Sequence, residues 1–162
     1  MKKFTLLFLC LIGMAANAQI KQVKTEKAEE VGKITPGGVW AMDCEKRGNT
    51  YYFEYKDATY KHITEHKTFK IEDVDNAFES LYEIVMQGFE DMPEESIMLE
   101  FPDGFLWLDY EKFLGTPVLR FGHATSKSEY ATIGFSSQFT KKQVQKLFGK
   151  FEKKKKKKKD SK

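Results

Sequence analysis

Residues 69–89 read FKIEDVDNAFESLYEIVMQGF, and part-way along them the spacing of the apolar side chains changes. Phe69 and Ile71 are two apart, which puts both on one face of a strand. Phe78, Leu81, Tyr82, Val85 and Phe89 then recur at intervals of three and four, one stripe of a helix. Asp75 stands where an N-cap would, and Gly88 lies near the C-terminal end. A strand that hands over to a capped amphipathic helix predicts a domain in which each element buries one face.

Toward the N-terminus the period stays at two. Residues 39–45 place Trp40, Met42 and Cys44 on one side, and residues 50–56 do the same with Tyr51, Phe53 and Tyr55. Gly48-Asn49 marks the turn between them, and a third strand is expected over roughly 62–71. Upstream, residues 19–38 end in Pro36-Gly37-Gly38 and read as a flexible arm or a short first strand. Toward the C-terminus, an acidic turn at 90–95 precedes a strand at 96–101. Asp103-Gly104 is a dipeptide favoured in two-residue hairpin turns, where positive φ is needed. Strands at 105–112, 118–123 and 130–136 follow, with Gly115-Thr116-Pro117 as a turn. Thr140 and Gln143 make a capping-box pattern ahead of Val144, Leu147, Phe148 and Phe151, a second amphipathic helix.

The expected class is therefore α+β: one antiparallel sheet of about six or seven strands with two helices packed on one face. Strands followed by a helix occur twice, so two repeated meander-plus-helix units are a further reading. The domain spans 39–152, with 1–18, 19–38 and 153–162 outside it.

Residues 1–19, MKKFTLLFLCLIGMAANAQ, have the form of a secretory signal peptide. Lys2 and Lys3 precede an apolar run, and Ala16-Asn17-Ala18 is a small-x-small cleavage pattern. Removal of residues 1–18 is expected, giving an exported protein of the periplasm or cell exterior. The run is too short to be read first as a transmembrane segment, which needs about 20 apolar residues. Cys10 leaves with the signal, so Cys44 has no partner in the mature chain; it is read as a small buried residue, with an intermolecular bridge as the sharper alternative.

Charge divides the chain. Residues 19–152 hold 17 Lys+Arg against 23 Asp+Glu, whereas 153–162 hold eight Lys and one Asp. The run Lys153, Lys154, Lys155, Lys156, Lys157, Lys158, Lys159 suits an anionic envelope surface or another polyanion. It supplies charge without base-reading geometry, so sequence-specific nucleic-acid binding is not expected.

No pattern points to a cofactor or a metal. His62 and His66 are four apart on an expected strand, HITEH departs from the zinc-protease pattern, and these histidines with His123 are read as solvated. Asp73 and Asp75 are read as helix caps. Asp109 and Glu111 share a strand face and are the one carboxylate pair suited to a small secreted hydrolase. On the same strand Phe105 and Trp107 lie opposite Leu106, Leu108 and Tyr110. If helices cover the latter set, Phe105 and Trp107 emerge on the open side, with Tyr52 expected near them.

The MKK start, the ANAQ cleavage context and the Val31-Gly32-Lys33-Ile34 segment ahead of an aromatic-rich domain resemble small uncharacterised exported proteins of Bacteroides-type bacteria and their phages. That resemblance implies a compartment and a lineage, and no activity. The functional expectation is an exported, non-catalytic binding or accessory protein. An aromatic sheet face would take a protein or glycan partner, and the lysine tail would take anionic surfaces. The alternatives are the hydrolase and a structural component of cell-surface or phage origin.

Overall fold

Three two-residue turns set the register of the strands. The computed structural model describes residues 26–151, apart from 61 and 129; the expected signal peptide at 1–18 and the lysine run at 153–159 lie outside the described residues. Strands β1 (Glu29–Ile34), β2 (Met42–Arg47), β3 (Thr50–Lys56) and β4 (His66–Glu72) form a first antiparallel sheet in that order. Helix α1 (Ala77–Asp91) follows. Strands β5 (Ile97–Phe101), β6 (Gly104–Phe113), β7 (Thr116–Ala124) and β8 (Ile133–Phe135) form a second, and the short β9 (Phe139–Thr140) also pairs with β7. Helix α2 (Lys141–Leu147) closes the order. The turns join Arg47 to Thr50, Phe101 to Gly104 and Phe113 to Thr116.

The class is α+β with two helices, but the strands divide between two sheets where one was expected. The reason lies after β4. There the chain enters α1, which packs on β4 and also on β6 and β7, and β5 then pairs only with β6. Both inner faces and both helices still share one core. Phe53, Phe69, Phe78, Phe121 and Phe148 are all buried in it, and Phe69 meets Phe53 and Phe121 at ring-centroid distances of 4.8 and 6.3 Å.

Of the two readings of 19–38, the short first strand holds: β1 spans 29–34 and its Ile34 is buried. Local chemistry departs from expectation at four places. The turn expected at Gly115-Thr116-Pro117 falls on Leu114-Gly115, since Thr116 and Pro117 already pair within β7. Ala41 and Met42 are both buried, which breaks the alternation and turns Trp40 away from Met42 and Cys44. Trp40 instead donates to Asp43 at 2.8 Å and packs on His66. Asp73, and not Asp75, caps α1, accepting from the Phe78 N–H at 3.1 Å; Asp75 and Asn76 are left-handed. The turn at Asp103-Gly104 falls one residue earlier, on Pro102-Asp103, since Gly104 already pairs with Phe101. Gly104 is needed there for closeness: a Cβ would strike the Ala124 carbonyl.

The remaining helix signals act as read. Phe78, Leu81, Val85 and Phe89 are the buried stripe of α1, and Tyr110 donates to the Val85 carbonyl at 2.9 Å. Gln143 Oε1 accepts from the Thr140 N–H at 2.8 Å, and α2 ends against β1 at Gly32, where a Cβ would run into the Lys146 carbonyl. Helix α2 stops at Leu147, short of Phe151.

Candidate binding surfaces

Strand β6 carries Leu106, Leu108 and Tyr110 into the core and turns Phe105, Trp107 and Asp109 outward. With the helices on the inner side, Phe105 and Trp107 do emerge on the open face, 5.9 Å apart between ring centroids. Register extends the patch beyond what one strand shows. Trp107 stands opposite Met98 on β5 and Gly122 on β7, and Gly122 stands opposite Phe135 on β8. Opposed side chains on antiparallel strands are near neighbours, so Met98, Trp107 and Phe135 form one apolar row. Gly122 keeps the row flat: a Cβ there would meet the Phe135 ring at 2.9 Å and Trp107 Cβ at 3.4 Å. Met98 is 59% exposed.

Two ion pairs border the row: Lys127 with Glu100, which stands opposite Phe105 in the register, and Arg120 with Asp109. Arg120 lies 4.8 Å over the Phe135 ring and donates to Asp109 at 3.1 and 3.3 Å, and Ser96 also bonds to Asp109. Gln138 bonds to Glu111. The two carboxylates proposed for hydrolysis are thus each held by a side chain of their own, and neither lines the clefts described below.

Tyr52 belongs to the first sheet. It stands between Glu45 and Lys70 in the register, with Arg47 5.1 Å over its ring. Around it the outer face is charged and largely self-paired: Arg47 with Glu45 at 2.9 Å, His66 with Glu54 at 3.0 Å, and Lys70 with Asp103 at 3.1 Å. Burial, and then Glu54 and Glu45 nearby, push the Asp43 carboxyl above its usual range against the Trp40 hydrogen bond. Tyr52 lines three clefts: an acidic one with Asp43, Glu45 and Glu54, an open one with Glu26 and Asn49, and a narrow one running in beside β4 to His123.

Where the two sheets meet, a buried polar group replaces the expected solvated residues. Asp57, 2% exposed, sits just past β3. Lys67 Nζ lies 2.7 Å from its Oδ2, while Oδ1 accepts from the Thr59 hydroxyl (2.5 Å), the Thr59 N–H (2.9 Å) and the Phe135 N–H (3.2 Å). Burial alone would raise this carboxyl; the bonds from Lys67, Thr59 and Phe135 outweigh it and hold it at about 2. Because Phe135 is on β8, Asp57 pins the second sheet to the first. The Ala58 N–H adds a 2.7 Å bond to the Phe135 carbonyl. His123, read as solvated, is buried here instead. Burial first, then the Lys67 charge, lower it to about 4. Its Nδ1 and the Tyr55 hydroxyl have no hydrogen-bond partner among the described residues.

Cys44 is fully buried on β2 and unpaired, and burial pushes its thiol far above its normal range, so it is inert packing in this fold. Residues 153–159 lie outside the described residues. Sequence reading missed Phe135 and Met98, which join Trp107 only through register, and Asp57, whose partners lie 2, 10 and 78 positions away. No protein-family model matches the chain, and no curated protein or solved structure is significantly similar to it.

Proposed function

We propose that this is an exported, non-catalytic binding or accessory protein that holds a protein partner on the outer face of its second sheet. The row Met98–Trp107–Phe135, flattened by Gly122, carries this reading. Aromatic residues, Met and Arg are the types enriched at interface centres, and Arg120 borders the row. A glycan is the second occupant of this face; it needs free polar groups beside the rings, and Asp109 and Arg120 here satisfy each other. The paired-carboxylate hydrolase is disfavoured because Asp109 and Glu111 are both engaged.

The test is a photo-reactive side chain at Met98 in the full chain, expressed in its own cell. A discrete protein adduct that Trp107→Ala removes supports the proposal. Retention on a glycan surface without any protein adduct favours the glycan, and the absence of both adduct and retention overturns the binding face.

The run 153–159 is proposed to keep the molecule near anionic surfaces, each Lys contributing about 1 kcal/mol there. Deleting 153–162 should abolish salt-sensitive retention on anionic vesicles; unchanged retention removes that role. The N-terminal residues are proposed to direct export, which mass spectrometry of the mature N-terminus checks, with Gln19 expected first. The chain is further read as two copies of one meander-plus-helix unit, supported by a run of four sequential antiparallel strands in each half, to which the second half adds the short β9 before its helix.

A further inference from the structure

Strand β4 ends the first sheet, and hydrogen-bond parity shows which of its backbone groups are left over. The Asp57 N–H bonds to the Glu65 carbonyl and the Asp73 N–H to the Asn49 carbonyl, in the register that runs unbroken through β3 and β4. In an antiparallel pair bonded and non-bonded positions alternate, so Lys67, Phe69 and Ile71 spend their backbone groups on β3. His66, Thr68 and Lys70 point theirs the other way, and these groups find no partner among the described residues.

That free edge faces a trench along its whole length. Three clefts follow one another from Glu65 to Val74, with volumes of about 570, 220 and 450 Å³. The first two share Thr68 and Thr125, and the last two share Lys70, Phe101 and Asp103. The second sheet and α1 form the opposite wall, with Ile71, Leu81 and Phe101 apolar in the third cleft and Glu72, Glu100 and Asp103 acidic around it.

We infer that the free edge of β4 docks an extended segment of another polypeptide, which adds to the first sheet as a fifth strand. Donors and acceptors that repeat every second residue match a peptide backbone, the recognition mode of strand addition. The cleft chemistry specifies the segment: an apolar side chain toward Ile71 and Leu81, and a basic residue beside Glu72, since Glu100 is held by Lys127 and Asp103 by Lys70. Lys70, tied to Asp103 across the trench, guards the edge in the apo protein. This surface is separate from the aromatic face, so either can fail without the other.

The test uses full-length protein and a capped synthetic peptide, KVTVKVT, with amide hydrogen exchange as the readout. In the free protein the amides of His66, Thr68 and Lys70 should exchange fast and those of Lys67, Phe69 and Ile71 slowly. Peptide should slow the first set. Thr68→Pro removes one edge donor without touching the bonds to β3, and should weaken binding at least about tenfold, while Thr68→Ala should not. Slow exchange at the three edge amides without peptide, no slowing by millimolar peptide, or unaltered binding by a folded Thr68→Pro each overturns the inference. If Thr68→Pro does not fold, the wild-type exchange pattern alone decides.

Discussion

Across the first sheet Glu45 faces Tyr52, and Tyr52 faces Lys70; across the second, Met98 faces Trp107, and Trp107 faces Gly122 and then Phe135. Both sheets run through four antiparallel strands in sequential order, the second with the short β9 added beside β7, and both bury their inward positions. The outward positions are free of that constraint, and the chain has used them in opposite ways. On the first sheet acids and bases pair with one another and remain solvated. On the second an apolar row is flattened by a glycine, and its charges, Glu100 with Lys127 and Asp109 with Arg120, stand at the border. Topology thus left the outer faces open, and the face whose side chains are not already satisfied by one another is the one suited to a partner.

That contrast holds only while the sheets are one body, so the largest effect is expected at the joint. Asp57→Ala would leave the half-buried Lys67 without its carboxylate and free the Thr59 and Phe135 donors. A loss of about 3–5 kcal/mol is expected, read by urea unfolding. If the loss is under about 1 kcal/mol, Asp57 does not hold the sheets together.

Acid probes the same joint. His123 is held near 4 in the fold against 6.5 when unfolded, so between those values the unfolded chain binds the extra proton. Stability should fall by about 3 kcal/mol as pH drops from 6.5 to 4, and His123→Gln should flatten that slope. Asp57 is lowered to about 2 from 3.8. Its contribution is intact above pH 4 and disappears as pH falls toward 2, a separate step of about 2 kcal/mol. A wild-type curve that is level from pH 6.5 to 4 would remove His123 from the joint.

On the faces themselves the effects are smaller and differ in kind. Trp107→Ala should weaken the partner by about 2 kcal/mol, measured by titration of the crosslinked partner once identified, and barely move the melting temperature. The smallest effect belongs to the charged face. Glu54→Gln removes the negative charge beside His66, an exposed pair, and should change stability by less than about 1 kcal/mol, with the difference shrinking in high salt. A larger, salt-resistant change would mean that the first face is a built site and the contrast is misplaced.

Much of the local structure was legible because it rests on short-range periodicity. The stripe Phe78–Leu81–Val85–Phe89, the inward set Tyr51–Phe53–Tyr55, burial of Cys44 and the Thr140–Gln143 cap all follow from spacings of two to four residues. Trp40 was misplaced by the same rule, because alternation fails where Ala41 and Met42 are both buried. Asp57 carried no signal: in KDAT it reads as a loop acid, and its partners come from β4 and β8.

The amino-acid order by itself determined the succession of strands and helices and the apolar side of most of them, Trp40 and the short β9 apart, since those depend on backbone geometry repeating within one element. Tertiary structure alone decided that the strands split into two sheets, that Asp57 and His123 are buried between them, and that Met98 and Phe135 join Trp107. Side chains far apart in the chain become neighbours only through strand register and helix packing, and no local spacing encodes that.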